Sequence, residues 1–245
     1  MKAMVLAAGL GTRLRPLTND RPKALVEVAG RTLLEMVLTR LKTFGVREVI
    51  VNVHHFADMV VEYLAARENF GMRIEISRED ELLDTGGGLK KAGWFFLEGS
   101  SKDEPFYLHN VDVISTIDLR RMVEAHRESG ALATLAVQDR KTSRYLLFNE
   151  IGQLSGRRAG LDGTVELLRP AEALQALAFC GVHVMSPRLL RLMHHEGMFS
   201  IIDMYLSLAA RGVDIRAFRA DEFYWRDLGK PESIEKAERE MGVRW

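Results

Sequence analysis

The sequence has almost no cysteine. Cys180 is the only one in 245 residues, so an intrachain disulfide cannot form and a stapled, secreted scaffold is excluded. It has no excess charge of either sign. Lys plus Arg and Asp plus Glu each number 34, giving a formal net charge of zero, and such a chain has no whole-molecule field to draw it to nucleic acid or to an anionic membrane. Long apolar runs are missing as well. The N-terminal run is too short to cross a bilayer, and Lys2 with the basic loop that follows does not read as a signal peptide with a small-residue cleavage site. Zinc-ligand spacing is also lacking: His54-His55 and His194-His195 are adjacent pairs, not pairs one helical turn apart. These four, with His109, read as structural or surface groups. The expectation is a soluble, cytoplasmic protein, monomer or homodimer, with no nucleic-acid or membrane partner, in which any anion binding is local.

What is present is a globular composition, 47% hydrophobic, long enough for one sizeable core or a core with a small lobe. The first 23 residues, MKAMVLAAGLGTRLRPLTNDRPK, organise the rest. Met4 to Ala8 has the length and flanks of a buried parallel strand. It runs into Gly9 and Gly11, where backbone N–H groups can approach an anion closely, while Arg13, Arg15 and Lys23 supply positive charge. The loop suits a polyphosphate. It is not a Walker loop, because the G-x-x-x-x-G-K-[ST] spacing is absent. It is not a dinucleotide fingerprint either. Leu14 stands where the third glycine belongs, and Pro16 and Pro22 would break or kink the helix that such a fingerprint opens. That argues against a nicotinamide-dependent oxidoreductase.

The stretch LAAGLGTRLRPLTNDRPKAL resembles the signature of the sugar-phosphate nucleotidyltransferases, G-x-G-T-R-x-x-P-x-T followed by P-K. Gly9, Gly11, Thr12, Arg13, Pro16, Thr18, Pro22 and Lys23 match it. Within that superfamily the later DTGGG segment is similar to the N-acetylmuramate 1-phosphate uridylyltransferase branch. The resemblance implies that Arg13 holds the departing pyrophosphate and that Lys23 sits between the nucleotide and sugar phosphates. Leu6, Ala8, Gly9, Gly11 and Thr12 would then form the nucleotide side of the first loop.

Beyond Lys23 the chain alternates strand and helix. Ala24 to Val28 reads as a short strand, Thr32 as the cap of a helix through Phe44, Glu48 to Val53 as a strand, Phe56 to Arg67 as a helix and Arg73 to Ser77 as a strand. That order gives right-handed crossovers and a Rossmann-like, mostly parallel α/β sheet flanked by helices, with ligands outside the carboxyl ends of its strands. Thr85, Gly86, Gly87 and Gly88 are expected just before a helix over 89–97, exposing N–H groups at its positive end. By resemblance Thr85, Gly86 and Gly87 meet the base and ribose.

Phe106 to Val113 is an apolar strand that ends in Asn110 and Asp112. A carboxylate at that position must be solvated, paired or bound to metal, so Asp112 is either a magnesium ligand or the cap of the next turn. The family has glycine where Val111 stands, and a valine there cannot take positive dihedrals. A helix is expected over 118–128 and a strand over 131–137. After that the pattern turns to short strands around an Asn149–Gly152 hairpin, a small β-rich lobe that by resemblance would bind sugar. One domain is expected over 1–245: a nucleotide core over 1–138, the lobe and its helices over 139–220, and a closing segment over 221–245. The stretch 156–176 has no readable pattern. The family's Glu-Lys-Pro element is replaced there by Leu-Leu-Arg-Pro at 167–170, with Arg169 either a charge substitute or a solvated arginine.

Leu177 to Met185 is a buried strand interrupted by Gly181, which marks either packing or the close approach of a ligand. By resemblance Gly181 and Asn110 bind sugar. Helices are expected over 189–193 and 201–210, an edge strand over 214–218 and a proline-first helix from Pro231. Trp225, Asp227 and Gly229 match the family's W-x-D-x-G-T, with Lys230 in place of threonine, and Asp227 would be the second ligand of Mg²⁺. The expected reaction is transfer of a nucleoside monophosphate from a nucleoside triphosphate to a sugar 1-phosphate. UMP is favoured by the DTGGG resemblance, with guanylyl and thymidylyl transfer still open. A catalytically silent sensor of nucleotide sugars is the competing class.

Overall fold

In the computed structural model, residues 1–98, 103–160 and 162–244 are described. Strand β1 (Lys2–Leu6) enters a loop with a 3-10 turn at Thr12–Leu14, and a second 3-10 turn at Lys23–Leu25 precedes a small hairpin of β2 (Glu27–Val28) and β3 (Arg31–Thr32). Then come α1 (Leu33–Thr43), β4 (Glu48–Val53), α2 (Ala57–Ala66), β5 (Arg73–Arg78), α3 (Asp84–Lys91) and α4 (Trp94–Leu97). They are followed by β6 (Phe106–Asn110), β7 (Val113–Ser115), α5 (Leu119–Ser129) and β8 (Ala133–Gln138). Antiparallel β9 (Arg144–Phe148) and β10 (Leu154–Ala159) continue to β11 (Val165–Leu167) and the long β12 (Gln175–Met185). The chain closes with α6 (Pro187–Leu190), α7 (Ile201–Ala210), β13 (Ile215–Arg219), β14 (Trp225–Asp227) and α8 (Pro231–Arg244).

Local chemistry sets these boundaries. The Thr32 hydroxyl accepts the Glu35 N–H at 3.1 Å, which satisfies one free donor at the start of α1. Leu33, Leu34, Leu38 and Leu41 then bury one stripe of that helix completely, at about 2 kcal/mol per leucine side chain. The Asp118 carboxylate caps α5 through the N–H groups of Arg120 and Arg121, and Gly130 ends it in the left-handed region.

The main sheet has the order β11-β10-β9-β12-β6-β1-β4-β5, with β8 joined to β12 and β13 joined to β8. The half formed by β6, β1, β4 and β5 is parallel throughout. After β1 the chain moves outward to β4 and β5, then returns to the other side of β1 as β6. The order therefore reverses beside β1, and a crevice opens outside the carboxyl ends of β1 and β6. Helices cover both faces over two hydrophobic clusters, one holding Leu34, Leu38 and Val123, the other Phe95, Phe106 and Tyr205.

Several expectations about the elements change: the strand expected over 106–113 is divided into β6 and β7, and the helix expected over 189–193 is the short α6 at Pro187–Leu190. The glycine run lies inside α3, which begins at Asp84, and the helix expected over 89–97 is divided into α3 and α4. Glycine's low helix propensity is overridden by packing: a Cβ at Gly86 would lie 2.4 Å from the Phe199 ring, and one at Gly87 2.4 Å from the Gly197 carbonyl oxygen. In addition, Lys23–Leu25 is a 3-10 turn, so the strand expected from Ala24 is reduced to β2.

Candidate active site

The crevice at the ends of β1 and β6 holds a cavity of about 230 Å³. Of the residues singled out from the sequence, Leu6, Ala8, Gly9, Lys23, Thr85, Asn110 and Asp112 line it. Leu82, Asp84 and Val111 line it as well, and so does Asn52, which was not anticipated. Asn52 had a readable signal, a polar residue near the carboxyl end of an apolar strand, the same logic that singled out Asp112.

The first loop is shaped for close approach. A Cβ at Gly9 would meet nothing within 4 Å, so this backbone faces open space. Gly11 adopts φ +66°, where a side chain would also press on Thr18 and Lys23, and the Thr18 hydroxyl donates to the Gly11 carbonyl at 2.9 Å. Thr12 and Arg13 sit in the 3-10 turn beyond it.

Lys23 Nζ forms an ion pair with the Asp112 carboxylate, and the two side chains keep only 12% and 14% of their exposure. Asp112 lies between β6 and β7, immediately before Val113, and β7 pairs antiparallel with β14 so that Asp227 lies opposite Val113. The Leu228 N–H also donates to the Asp112 carbonyl at 2.8 Å. This small two-stranded sheet thus brings together two carboxylates from distant parts of the sequence. Asp227 Oδ1 accepts the Gly229 N–H at 2.7 Å. A Cβ at Gly229 would stand 2.6 Å from that same oxygen and 2.8 Å from Arg13 Nη2, so a glycine there lets Arg13 and Asp227 close on one spot.

Among the described residues no group of three or more Cys, His, Asp or Glu side chains is arranged around a metal position. Asp112, paired with Lys23, and Asp227, which accepts the Gly229 N–H, are oxygen donors of the kind Mg²⁺ takes, and that ion usually keeps part of its water shell.

Gly86 and Gly87 do not offer free N–H groups. Both donate to the Phe199 carbonyl, at 3.0 and 3.3 Å, and this binds α3 to the segment leading into α7. The Thr85 hydroxyl accepts the Ile201 N–H at 3.0 Å and serves the same junction. What the glycine run offers the cavity is the N-terminal end of α3, where Asp84 takes φ +58°. Val111 fits without positive dihedrals: its N–H donates to the Leu6 carbonyl at 3.1 Å, continuing the β1–β6 pairing, and its side chain is buried in the crevice wall.

Gly181, at φ +71°, makes the bulge at which β12 shifts register against β8, and a Cβ there would lie 2.9 Å from Asn110 Nδ2. The two residues read as sugar-binding are therefore neighbours. Beside them the Trp225 indole N–H donates to the Cys180 carbonyl at 2.7 Å, and the Arg140 guanidinium stacks 3.7 Å over the Trp225 ring. Burial pushes the Cys180 thiol up to about 12, so it is an inert core group. Arg169 does not face the crevice: its guanidinium donates to the carbonyls of Ala209, in the last turn of α7, and Val213, just past its end.

These features define a crevice lined by the Lys23–Asp112 pair, with Asp227 and Arg13 meeting at Gly229 beside the β7–β14 ladder. The chain belongs to the nucleotidyl transferase family, whose model matches residues 2–242. It is 39% identical to the N-acetylmuramate alpha-1-phosphate uridylyltransferase of Caulobacter vibrioides, across 96% of this chain and 95% of that one. It is 31% identical to the UTP–glucose-1-phosphate uridylyltransferase of Synechocystis, across 94% of this chain and 60% of that protein. In fold it is similar to a putative glucose-1-phosphate thymidylyltransferase from Bacillus anthracis, with a TM-score of 0.79, 19% identity and coverage of 98% and 94%. It also resembles HddC from Yersinia pseudotuberculosis, with a TM-score of 0.75, 21% identity and coverage of 98% and 99%. Membership bears out the resemblance carried by the glycine-loop signature.

Proposed function

We propose that this chain transfers UMP from UTP to a sugar 1-phosphate, with N-acetylmuramate 1-phosphate the first candidate, and releases pyrophosphate. The observation that carries the choice of base and sugar is the 39% identity, over nearly the full length of both chains, to a protein bearing that name. The product would be a nucleotide sugar for cell-wall synthesis, made in the cytoplasm.

The chemistry asks little of the protein in proton transfer. A sugar 1-phosphate, with a second pKa of about 6, is mostly a dianion at neutral pH and attacks the α-phosphorus without a general base. Catalysis then consists of alignment and charge neutralisation. Lys23 stands at the crevice wall beside Asp112, where the two reacting phosphates would meet. Arg13, which meets Asp227 at Gly229, would hold the departing pyrophosphate. Asp112 and Asp227 would hold Mg²⁺, which supplies positive charge to the triphosphate. The backbone of Ala8 to Thr12 takes the phosphates, the N-terminal end of α3 at Asp84 and Thr85 takes the nucleoside, and Asn110 with Gly181 takes the sugar. β9, β10, β11 and their neighbours form the sugar-side lobe.

The test is pyrophosphate release by the purified chain with Mg²⁺, using the common nucleoside triphosphates against a panel of sugar 1-phosphates. The expected result is turnover led by UTP with N-acetylmuramate 1-phosphate. Preference for another pair overturns the assigned specificity, and nucleotide binding without turnover in any pair identifies a silent sensor.

A further inference from the structure

Beneath the crevice lies a buried polar chain for which the proposed reaction has no use. The Ala7 N–H, at the root of the glycine loop, donates to Asn52 Oδ1 at 2.8 Å. Asn52 Nδ2 donates to Glu79 Oε1 at 2.6 Å, and the Leu83 N–H, immediately before α3, donates to Glu79 Oε2 at 3.0 Å. Asn52 is 2% exposed and Glu79 4%. The orientation of the Asn52 amide follows from the network, because a backbone donor faces one of its atoms and an acceptor-only carboxylate the other. Nor is the neighbourhood loose: a Cβ at Gly88 would fall 2.6 Å from Glu79 Oε1 and 2.7 Å from Asn52 Nδ2, so α3 lies with bare backbone against the pair.

We infer that Glu79 and Asn52 are positioning residues for the nucleotide: a hydrogen-bonded strut that sets the separation between the glycine loop and the N-terminal end of α3, the two walls that grip the nucleoside triphosphate. The inference rests on the reading of the crevice as a triphosphate site. Its physical basis is the choice of a carboxylate. Burying a charged group among neutral partners is costly, and a neutral amide of the same shape would be the cheaper filler. A glutamine cannot replace it here, because both oxygens face donors and one of them would become an NH₂ directed at another N–H. The strut therefore needs an acceptor at both ends of one rigid group, one end for each wall. Asn52 also lines the cavity, so a shift in the strut is felt at the ligand.

Polarity can be reversed within this chain without changing its shape, and this supplies the test. Glu79→Gln and Asn52→Asp each leave one mismatched contact. Together they restore every bond, with the glutamine amide donating to the new aspartate and its oxygen still accepting from Leu83 N–H. Binding of magnesium–UTP is measured by calorimetry at a temperature where all variants are folded, alongside the KM for the sugar 1-phosphate and the melting temperature. Each single variant is expected to bind UTP about tenfold more weakly, with the sugar phosphate KM little changed. The double variant is expected to return to within about threefold of wild type. Single variants that melt earlier yet bind UTP as wild type does would show a purely structural role and overturn the inference. So would a double variant no better than the weaker single. Both outcomes leave the proposed function standing, whereas a wild-type chain that binds no nucleoside triphosphate removes that reading and this inference together.

Discussion

Lowering the pH from 7 to 5 should strip this protein of much of its stability, and the reason lies in three buried histidines. Burial pulls His109 and His126 down to about 4 and His183 to about 3, from an ordinary value of 6.5. His183 shares one ring nitrogen with the Tyr205 hydroxyl at 2.8 Å, and His126 shares one with Thr134 Oγ1 at 2.9 Å. The Nε2 atoms of His109 and His183 have no partner among the described residues, so nothing there rewards a proton. In the unfolded chain each histidine takes up its proton as the pH falls below about 6.5, whereas in the folded chain it waits until about 4 or 3. Between those values the unfolded state binds more protons, and stability rises with pH. The stabilisation is full above about 6.5 and disappears as the pH falls toward 4. At pH 5 the loss relative to pH 7 is about 2 kcal/mol for each histidine, on the order of 5 kcal/mol for the three. A typical domain has a margin of about 5–15 kcal/mol. Guanidinium unfolding at pH 7 and pH 5 measures the difference. His126→Gln, which can keep a hydrogen bond to Thr134, should reduce it by about 2 kcal/mol. A stability that is flat or higher at pH 5 refutes the reasoning.

Two further substitutions probe the site. Lys23→Ala removes the cation beside Asp112, and Asp227→Asn weakens the carboxylate pair. Each should lower the rate of pyrophosphate release by about 10²–10³-fold while circular dichroism remains that of the folded chain, and near-normal release by either variant would remove its assigned role. Gly86→Ala would place a methyl group 2.4 Å from the Phe199 ring and 2.9 Å from its carbonyl oxygen. It should cost about 1–3 kcal/mol, read as a lower melting temperature, with nucleotide affinity falling as α3 shifts.

The parallel half of the sheet was legible because its periodicities are unambiguous. Glu48–Val53, the Thr32-capped helix and the helix over 201–210 stand where apolar spacing and caps place them. The glycine run misled because propensity is a local quantity and the cause of those glycines is tertiary. Each of Gly86, Gly87 and Gly88 gives way to a neighbour distant in sequence, and no reading of DTGGG alone reveals Phe199, Gly197 or Asn52. The stretch 156–176 was opaque for a related reason. β11 is a short, exposed edge strand with no inward face to impose alternation, and Arg157 is held by Glu166 and Asp203 at the surface. Asn52 could have been found by the rule that found Asp112. Glu79 could not, since nothing local separates it from the charged surface residues beside it.

The pairing of β7 with β14 carries a consequence for how the site is built. Asp112 is anchored by β6 in the central sheet, whereas Asp227 reaches it through a three-residue ladder, extended by the Thr116 N–H bond to the Tyr224 carbonyl, and through the Leu228 N–H bond to the Asp112 carbonyl. That ladder is steadied from outside. Arg226 makes a forked contact with Glu240 on α8, and the Ala29 N–H, in the β2–β3 turn that follows Lys23, donates to Glu238 at 3.2 Å. The C-terminal helix therefore touches the segments bearing both Lys23 and Asp227. A lysine and two carboxylates brought from three parts of the chain need such a brace. Without it each lone charge would be free to turn toward water, and the local alignment on which charge neutralisation depends would be lost.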